Sequence, residues 1–128
     1  MPKILIADDN ETVREMLTEM IAGEGFDVTS VQDGIQALRI CHKTPYDLAI
    51  VDMVMPGLDG LKTISRLSQD HPGLKIIAIS GGDISFDGTI YLDLVRDKRA
   101  HRTFTKPIQR RELIAAVNEL LPANSQPL

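Results

Sequence analysis

The stretch KILIADDN (Lys3–Asn10) decides the fold, together with YDLAIVDMVMPGLDG (Tyr46–Gly60). Each contains a run of four apolar residues with an aspartate directly after it, and a third such run occurs in KIIAISGG (Lys75–Gly82), where a serine follows. Runs of this length are too short for a helix, and their β-branched residues are typical of buried strands. The runs therefore predict three central strands, Ile4–Ala7, Leu48–Val51 and Ile76–Ile79.

Two weaker strands and the segments between the strands complete an alternating pattern. Val28–Val31 and Thr103–Thr105 carry polar residues among apolar ones, as strands at the edges of a sheet do. The order of strand and helix, repeated five times, predicts parallel strands with right-handed crossovers. We therefore expect an α/β fold of the flavodoxin-like type, a doubly wound five-stranded parallel sheet of order 2-1-3-4-5 with five helices.

The helices are marked by apolar stripes and by residues that cap helix ends. Asn10 stands where it would cap the first helix, and Asp33 with Gln36 resembles a capping box before the second. A glycine-rich stretch follows the fourth strand, so the fourth helix is expected to start near Thr89. Spacings of three and four residues form the stripes of the first and last helices. These stripes are Val13, Met16, Leu17, Met20 and Ile21, and Leu113, Ala116, Val117, Leu120 and Leu121.

Length and composition limit the kind of protein. With 128 residues, 43% of them hydrophobic and 25% charged, the chain resembles one globular domain. We expect this domain to span residues 1–121, followed by a flexible C-terminal tail over residues 122–128. The net charge of −4 argues against nucleic-acid binding, and no apolar run approaches the length of a membrane span. We expect a cytoplasmic protein with no nucleic-acid or membrane partner, whose single Cys41 is a packed thiol.

Polar residues follow four of the predicted strands. In an open parallel sheet, ligands bind beyond the carboxyl ends of the strands where the strand order reverses, here between strands one and three. Asp8 and Asp9 follow the first strand, and Asp52 follows the third. Ser80 follows the fourth strand and Lys106 follows the fifth. The same edge of the sheet therefore offers three carboxylates, a hydroxyl and an ammonium, a set typical of phosphoryl transfer.

The three carboxylates would repel one another unless a cation neutralised them. Mg²⁺ prefers one or two carboxylates together with waters and phosphate oxygens, which fits a site with few protein ligands. Phosphoryl transfer requires in-line positioning and neutralisation of the equatorial oxygens, which Mg²⁺, Lys106 and the Ser80 hydroxyl would supply together. In this interpretation Asp52 is the nucleophile.

These four motifs resemble the receiver domain of response regulators over nearly the whole chain. The acidic pair lies in KILIADDN, the acceptor in YDLAIVDMVMPGLDG, the hydroxyl in KIIAISGG and the lysine in FTKP. The resemblance implies that Asp52 accepts a phosphoryl group. It also implies that Asp9 and Asp52 bind Mg²⁺ directly together with the backbone carbonyl of Val54, and that Asp8 acts directly or through water.

The resemblance extends to the residues around the phosphoryl group. Ser80 and Lys106 would hold the phosphoryl oxygens, and the peptide bond between Lys106 and Pro107 is expected to be cis, as in the family. Receivers usually carry an aromatic switch residue three positions before the lysine, whereas this chain has Thr103 there and Phe104 next to it. The segment between the hydroxyl and the lysine is also longer than usual. The switch region around Thr103 and Phe104 therefore departs from the family.

The family implies a signalling role. The chain would be a phosphorylation-activated switch of a two-component system or phosphorelay, a phosphoacceptor rather than an enzyme. It would receive the phosphoryl group from a sensor histidine kinase or a histidine phosphotransfer protein and act on a downstream protein target, as a monomer or weak dimer. It resembles a single-domain receiver without a DNA-binding output domain, or alternatively an excised domain.

The lifetime of the phosphorylated state can also be inferred from the sequence. Residues two positions beyond the acceptor and two beyond the hydroxyl stand where they could orient the hydrolytic water. In this chain they are Val54 and Gly82. Neither side chain can hydrogen-bond a water or accept its proton, which predicts slow self-dephosphorylation.

Three alternatives fit the sequence less well. A phosphatase or mutase resembling the haloacid dehalogenases would carry a second aspartate two residues after the nucleophile, where this chain has Val54. A nucleotide- or flavin-binding module would require a glycine-rich loop after the first strand, where this chain has Asp8 and Asp9. A receiver that binds protein without being phosphorylated would not need the complete set of pocket residues.

Overall fold

The computed structural model of the chain describes residues 1–53, 55, 59–80 and 99–121. Five parallel strands form one sheet of order β2-β1-β3-β4-β5, in agreement with the order predicted from the sequence. The strands are β1 (Lys3–Ala7), β2 (Asp27–Val31), β3 (Leu48–Asp52), β4 (Lys75–Ser80) and β5 (Arg102–Thr105). The described helices are α1 (Glu11–Ala22), α2 (Gly34–Lys43), α3 (Gly60–Asp70) and α4 (Arg110–Leu120).

The sheet buries apolar side chains on both faces because its strand residues alternate in direction. Leu5 and Ala7 face one layer with Ile64 and Leu67 of α3. Their strand neighbours face the opposite layer, which contains residues of α1 and α4. That second layer includes Ile4, Ile6, Leu17, Ile21, Ile50, Ile79, Leu113 and Val117. The edge strands β2 and β5 are only partly buried, as their polar residues predicted.

Side chains cap the helices that begin near the carboxyl edge of the sheet. The side chain of Asn10 accepts a hydrogen bond from the Val13 amide at the start of α1. Asp33 accepts one from the Gln36 amide at the start of α2, which confirms both predicted caps. Asp59 does the same for α3 through the Lys62 amide. Each cap satisfies an amide that has no partner within its own helix.

Two expectations concern residues beyond the described ranges. The predicted fourth helix near Thr89 and the C-terminal tail at 122–128 both lie outside them, and α4 corresponds to the predicted fifth helix. The domain boundary at residue 121 remains a prediction. Among the described residues, no helix is long and apolar enough to cross a membrane.

Candidate functional site

The acidic residues meet at the carboxyl ends of β1 and β3, which are neighbours in the sheet. Asp52 is the last residue of β3, so the strand extends one residue beyond the predicted apolar run. The ligand oxygens of Asp8, Asp9 and Asp52 lie within 4.8 Å of one another. Asp8 and Asp52 are buried, with 1% and 3% of their surfaces exposed, and Asp9 is exposed. The structure therefore brings together the three carboxylates selected from the sequence.

Asp8 is held by its backbone and by one of its two carboxylate oxygens. Its amide donates to the Val31 carbonyl at 3.2 Å, and its own carbonyl accepts a hydrogen bond from Nη1 of Arg14 at 2.8 Å. Its Oδ1 accepts a hydrogen bond from the Asn10 amide at 2.9 Å. Its Oδ2 is buried and has no hydrogen-bond partner within the described part of the chain. Its partner is the ammonium of Lys106, in an ion pair of 3.1 Å.

Lys106 supplies the positive charge of the site. Its Nζ lies 3.1 Å from Oδ2 of Asp8 and 3.5 Å from Oδ2 of Asp52, so it forms an ion pair with each. Burial alone would lower the pKa of Lys106, but the charges of Asp52 and Asp8 outweigh this effect and raise it above its ordinary value. Lys106 is therefore a protonated counterion of the acidic cluster at neutral pH.

The strand ends place the lysine and the serine on the same side of the site. Ser80 is buried at the end of β4, beside Thr105 of β5. The Lys106 amide donates to the Ser80 carbonyl at 2.8 Å, which continues the pairing of these strands by one residue. The Lys106–Pro107 peptide bond is cis. These contacts place both residues at the edge of the sheet where Asp52 ends its strand.

The donor set fits a hard divalent cation. Carboxylate oxygens are the protein ligands that Mg²⁺ prefers, and the site offers three carboxylates, one with a buried oxygen that lacks a hydrogen bond. Lys106 pairs with that oxygen but supplies only one positive charge for three carboxylates, so a divalent cation would complete the neutralisation. Val54, the predicted carbonyl ligand, lies outside the described residues.

Thr103 and Phe104 lie on opposite faces of β5. Thr103 pairs with Ala78, and Phe104 pairs with Ile79. Phe104 packs against the apolar layer that contains α1 and α4. Both side chains are partly buried. The aromatic ring next to the usual switch position therefore belongs to the other face of the sheet.

The close packing of α3 depends on Gly60, a position that its residue type alone does not distinguish from an ordinary turn glycine. Gly60 is the buried first residue of α3, and its amide donates to the Met53 carbonyl at 3.1 Å. A Cβ atom at this position would lie 2.3 Å from the carbonyl oxygen of Asp52. Glycine is therefore required by the close approach of α3 to the backbone of Asp52. The aspartate before it, a helix cap, was the signal in the sequence that a helix starts here.

Comparison with known proteins identifies the family. A family model described as the response regulator receiver domain matches residues 4–118. Sporulation initiation phosphotransferase F of Bacillus subtilis is 32% identical over 127 residues, which cover 96% of each chain. The DNA-binding response regulator MtrA of Mycobacterium tuberculosis is 31% identical over 95% of this chain. The chain spans only about half, 51%, of that relative's length.

A solved structure has a similar fold. The response regulator TrrA of Thermotoga maritima, crystallised in complex with Mg²⁺–BeF, superposes with a TM-score of 0.80 at 28% identity. The match covers 94% of this chain and 99% of that one. The likeness therefore extends over nearly the whole of both chains.

Proposed function

The chain belongs to the response regulator receiver family, and on that premise we propose that it is a phosphorylation-activated switch whose phosphoacceptor is Asp52. The observation that carries the proposal is the meeting of Asp8, Asp9 and Asp52 within 4.8 Å, with the Lys106 ammonium against two of them. Asp52 lies at the end of the central strand β3, where the strand order reverses. The Lys106 ammonium lies 3.5 Å from its Oδ2, and Ser80 ends the adjacent strand β4.

The proposed reaction moves a phosphoryl group from a histidine of the donor protein to Asp52. A carboxylate oxygen of Asp52 forms a bond to phosphorus while the bond between phosphorus and the histidine nitrogen breaks. The released imidazole takes a proton from solvent, and Asp52 becomes an acyl phosphate. The described surroundings supply the positioning that such a transfer needs, because β4 pairs with the Asp52 backbone and α3 packs closely against it.

Mg²⁺ is the proposed cofactor, with Asp9, Asp52 and the Val54 carbonyl as direct ligands and Asp8 as a direct or water-mediated one. When bound, the ion supplies positive charge that the carboxylates and the phosphoryl oxygens share. The charge of the cluster supports this assignment, because three carboxylates meet there and Lys106 contributes one positive charge. The complex of TrrA with Mg²⁺–BeF supports the same ion in a related protein.

Lys106 and Ser80 are the proposed contacts for the phosphoryl oxygens. Lys106 already lies 3.5 Å from Oδ2 of Asp52, so a small movement brings its ammonium to a group bound on that oxygen. Because Lys106 follows β5 directly, such a movement would be transmitted to the strand that carries Thr103 and Phe104. We propose that this region changes on phosphorylation and is read by a downstream protein.

The proposed partners follow from the family. The donor is a sensor histidine kinase or a histidine phosphotransfer protein in the cytoplasm, and the domain acts as a monomer or weak dimer. The phosphotransferase from Bacillus subtilis, matched over 96% of its length, supports a relay role. The chain is a phosphoacceptor with at most weak self-phosphorylation from small donors and slow self-dephosphorylation.

Intact-mass measurement tests the central proposal. The chain is incubated with acetyl phosphate and Mg²⁺, and we expect its mass to increase by one phosphoryl group. In a parallel incubation with EDTA in place of Mg²⁺, we expect no increase in mass. Asp52→Asn should not be labelled, whereas Asp70→Asn, which changes an exposed aspartate at the end of α3, should be labelled like the wild type. Equal labelling of Asp52→Asn would overturn the assignment. A folded wild-type chain that takes no label would indicate a domain that only binds protein.

A further inference from the structure

We propose that Arg14 is a positioning residue of the metal site, which it orients through the backbone of Asp8. Arg14 lies on α1, and its Nη1 donates a partly buried hydrogen bond of 2.8 Å to the carbonyl oxygen of Asp8. This inference rests on the proposed function, because it concerns the same Mg²⁺ site. It assigns a role to a residue that does not itself contact the metal.

The hydrogen bond is built on a rigid first turn of α1. The Arg14 amide donates to the Asn10 carbonyl at 2.9 Å, and the Asn10 side chain caps the helix through Val13. The same Asn10 amide donates to Oδ1 of Asp8. Two residues at the start of α1 therefore hold Asp8. Asn10 binds the carboxylate of Asp8, and Arg14 binds the backbone carbonyl of Asp8.

Fixing this carbonyl also orients Asp9. The peptide unit is planar, so the carbonyl oxygen of Asp8 and the amide nitrogen of Asp9 lie in one rigid plane. A hydrogen bond that fixes the oxygen sets the direction in which the chain enters Asp9. Asp9 is exposed, and it must still bring a carboxylate oxygen to within 4.8 Å of Asp8 and Asp52. Arg14 thereby disfavours backbone conformations in which the carboxylates of Asp8 and Asp9 would point away from each other.

Positioning and simple electrostatics predict opposite effects of removing Arg14. A guanidinium near the site repels a divalent cation, so its loss would strengthen Mg²⁺ binding if charge alone mattered. If its hydrogen bond positions the ligands, its loss weakens Mg²⁺ binding. Removing groups that orient metal ligands through hydrogen bonds typically costs about 10- to 100-fold in metal affinity. The sign of the change therefore distinguishes the two roles.

Calorimetric titration of the full chain with MgCl₂ measures this sign without any phosphorylation. We expect the Mg²⁺ dissociation constant of Arg14→Gln to rise about tenfold. Arg14→Lys keeps the charge and can still donate one hydrogen bond, so it should recover part of the affinity. Arg39→Gln removes the same charge from an exposed position on α2 and should bind Mg²⁺ like the wild type.

The phosphorylation rate provides a second readout. Because the arginine acts on metal binding, Arg14→Gln should need more Mg²⁺ for the half-maximal rate with acetyl phosphate but approach the wild-type rate at saturation. Unchanged or tighter Mg²⁺ binding in Arg14→Gln would overturn the inference. Loss of the fold in both Arg14→Gln and Arg14→Lys would also overturn it, because the role of Arg14 would then be purely structural. A wild-type chain that binds Mg²⁺ but takes no label on Asp52 would instead contradict the proposed function.

Discussion

The Lys106 ammonium lies 3.1 Å from Oδ2 of Asp8, a carboxylate oxygen that is buried from solvent. The chain thus supplies one of the positive charges that its acidic cluster requires. With Asp9 and Asp52 included, three carboxylates and one ammonium leave two negative charges. A divalent cation balances this remainder, which explains why a lysine and a metal can share one site.

Replacing Lys106 by methionine should therefore destabilise the metal-free protein and strengthen Mg²⁺ binding. We expect the free energy of unfolding in EDTA to fall by about 2 kcal/mol, less than for a fully buried pair because 20% of the lysine side chain is exposed. The Mg²⁺ dissociation constant should decrease, since a competing cation is gone. Urea unfolding with and without Mg²⁺ measures both changes, and Lys62→Met on the exposed side of α3 is the control. Weaker Mg²⁺ binding in Lys106→Met would contradict the competition between the two cations.

Replacing Gly60 by alanine should destabilise the protein. The added Cβ would lie 2.3 Å from the Asp52 carbonyl oxygen and 2.4 Å from the Met53 Cα, both backbone atoms that cannot rotate away. We expect a loss of about 1–3 kcal/mol, as for other overpacked positions, together with slower phosphorylation because the backbone of Asp52 must shift. Gly73→Ala, where a Cβ would meet nothing within 4 Å, should be nearly neutral. Equal melting temperatures for the two variants would show that α3 can move aside without cost.

The ring of His101 predicts a pH dependence of stability. Its Nδ1 accepts a hydrogen bond from the Ile76 amide at 3.1 Å, and its own amide donates to the Ile76 carbonyl. Burial, followed by the charge of Lys75, lowers the pKa of His101. The His101 ring therefore takes up a proton less readily in the folded protein than in the unfolded chain. Stability should fall as the pH drops through about 6.5 and level off below the folded-state pKa.

Urea unfolding at a series of pH values tests the role of His101. Between pH 7.5 and 5.5 the wild type should lose more stability than His101→Gln, whose side-chain oxygen can accept the same hydrogen bond without titrating. His42→Gln, an exposed position on α2, should follow the wild type. If His101→Gln and the wild type lose stability in parallel, the ring does not carry the effect.

The phosphorylated state should be long-lived. Val54 and Gly82 stand two positions beyond the acceptor and the hydroxyl, and neither can orient a water molecule or take its proton. Val54→Asn combined with Gly82→Glu should therefore shorten the lifetime of phosphorylated Asp52 by about 10-fold or more. Intact-mass measurement over time in Mg²⁺ gives the rates. A double variant that decays no faster would show that water positioning does not limit hydrolysis.

The sequence by itself determined the fold and the chemical identity of the site. Short apolar runs rich in β-branched residues favour buried strands, and the polar residues of β2 and β5 favour the edges of the sheet. Together with the flavodoxin-like pattern these features predict the observed order. The carboxyl ends of parallel strands share one edge, so the residues after each run could be assigned to one place before any distance was known.

Only the tertiary structure decided which contacts hold the site together. Gly60 and Arg14 bear no mark in the sequence of what they touch, because the first depends on how closely α3 approaches the end of β3 and the second on where a long side chain reaches. The sequence also does not indicate the role of His101, whose ring nitrogen accepts the hydrogen bond of the Ile76 amide. Such roles depend on how closely elements that are remote in the chain approach one another, and a shift of a few tenths of an ångström would change the contact. Residue type and spacing do not contain those distances, because they arise only when the strands and helices pack.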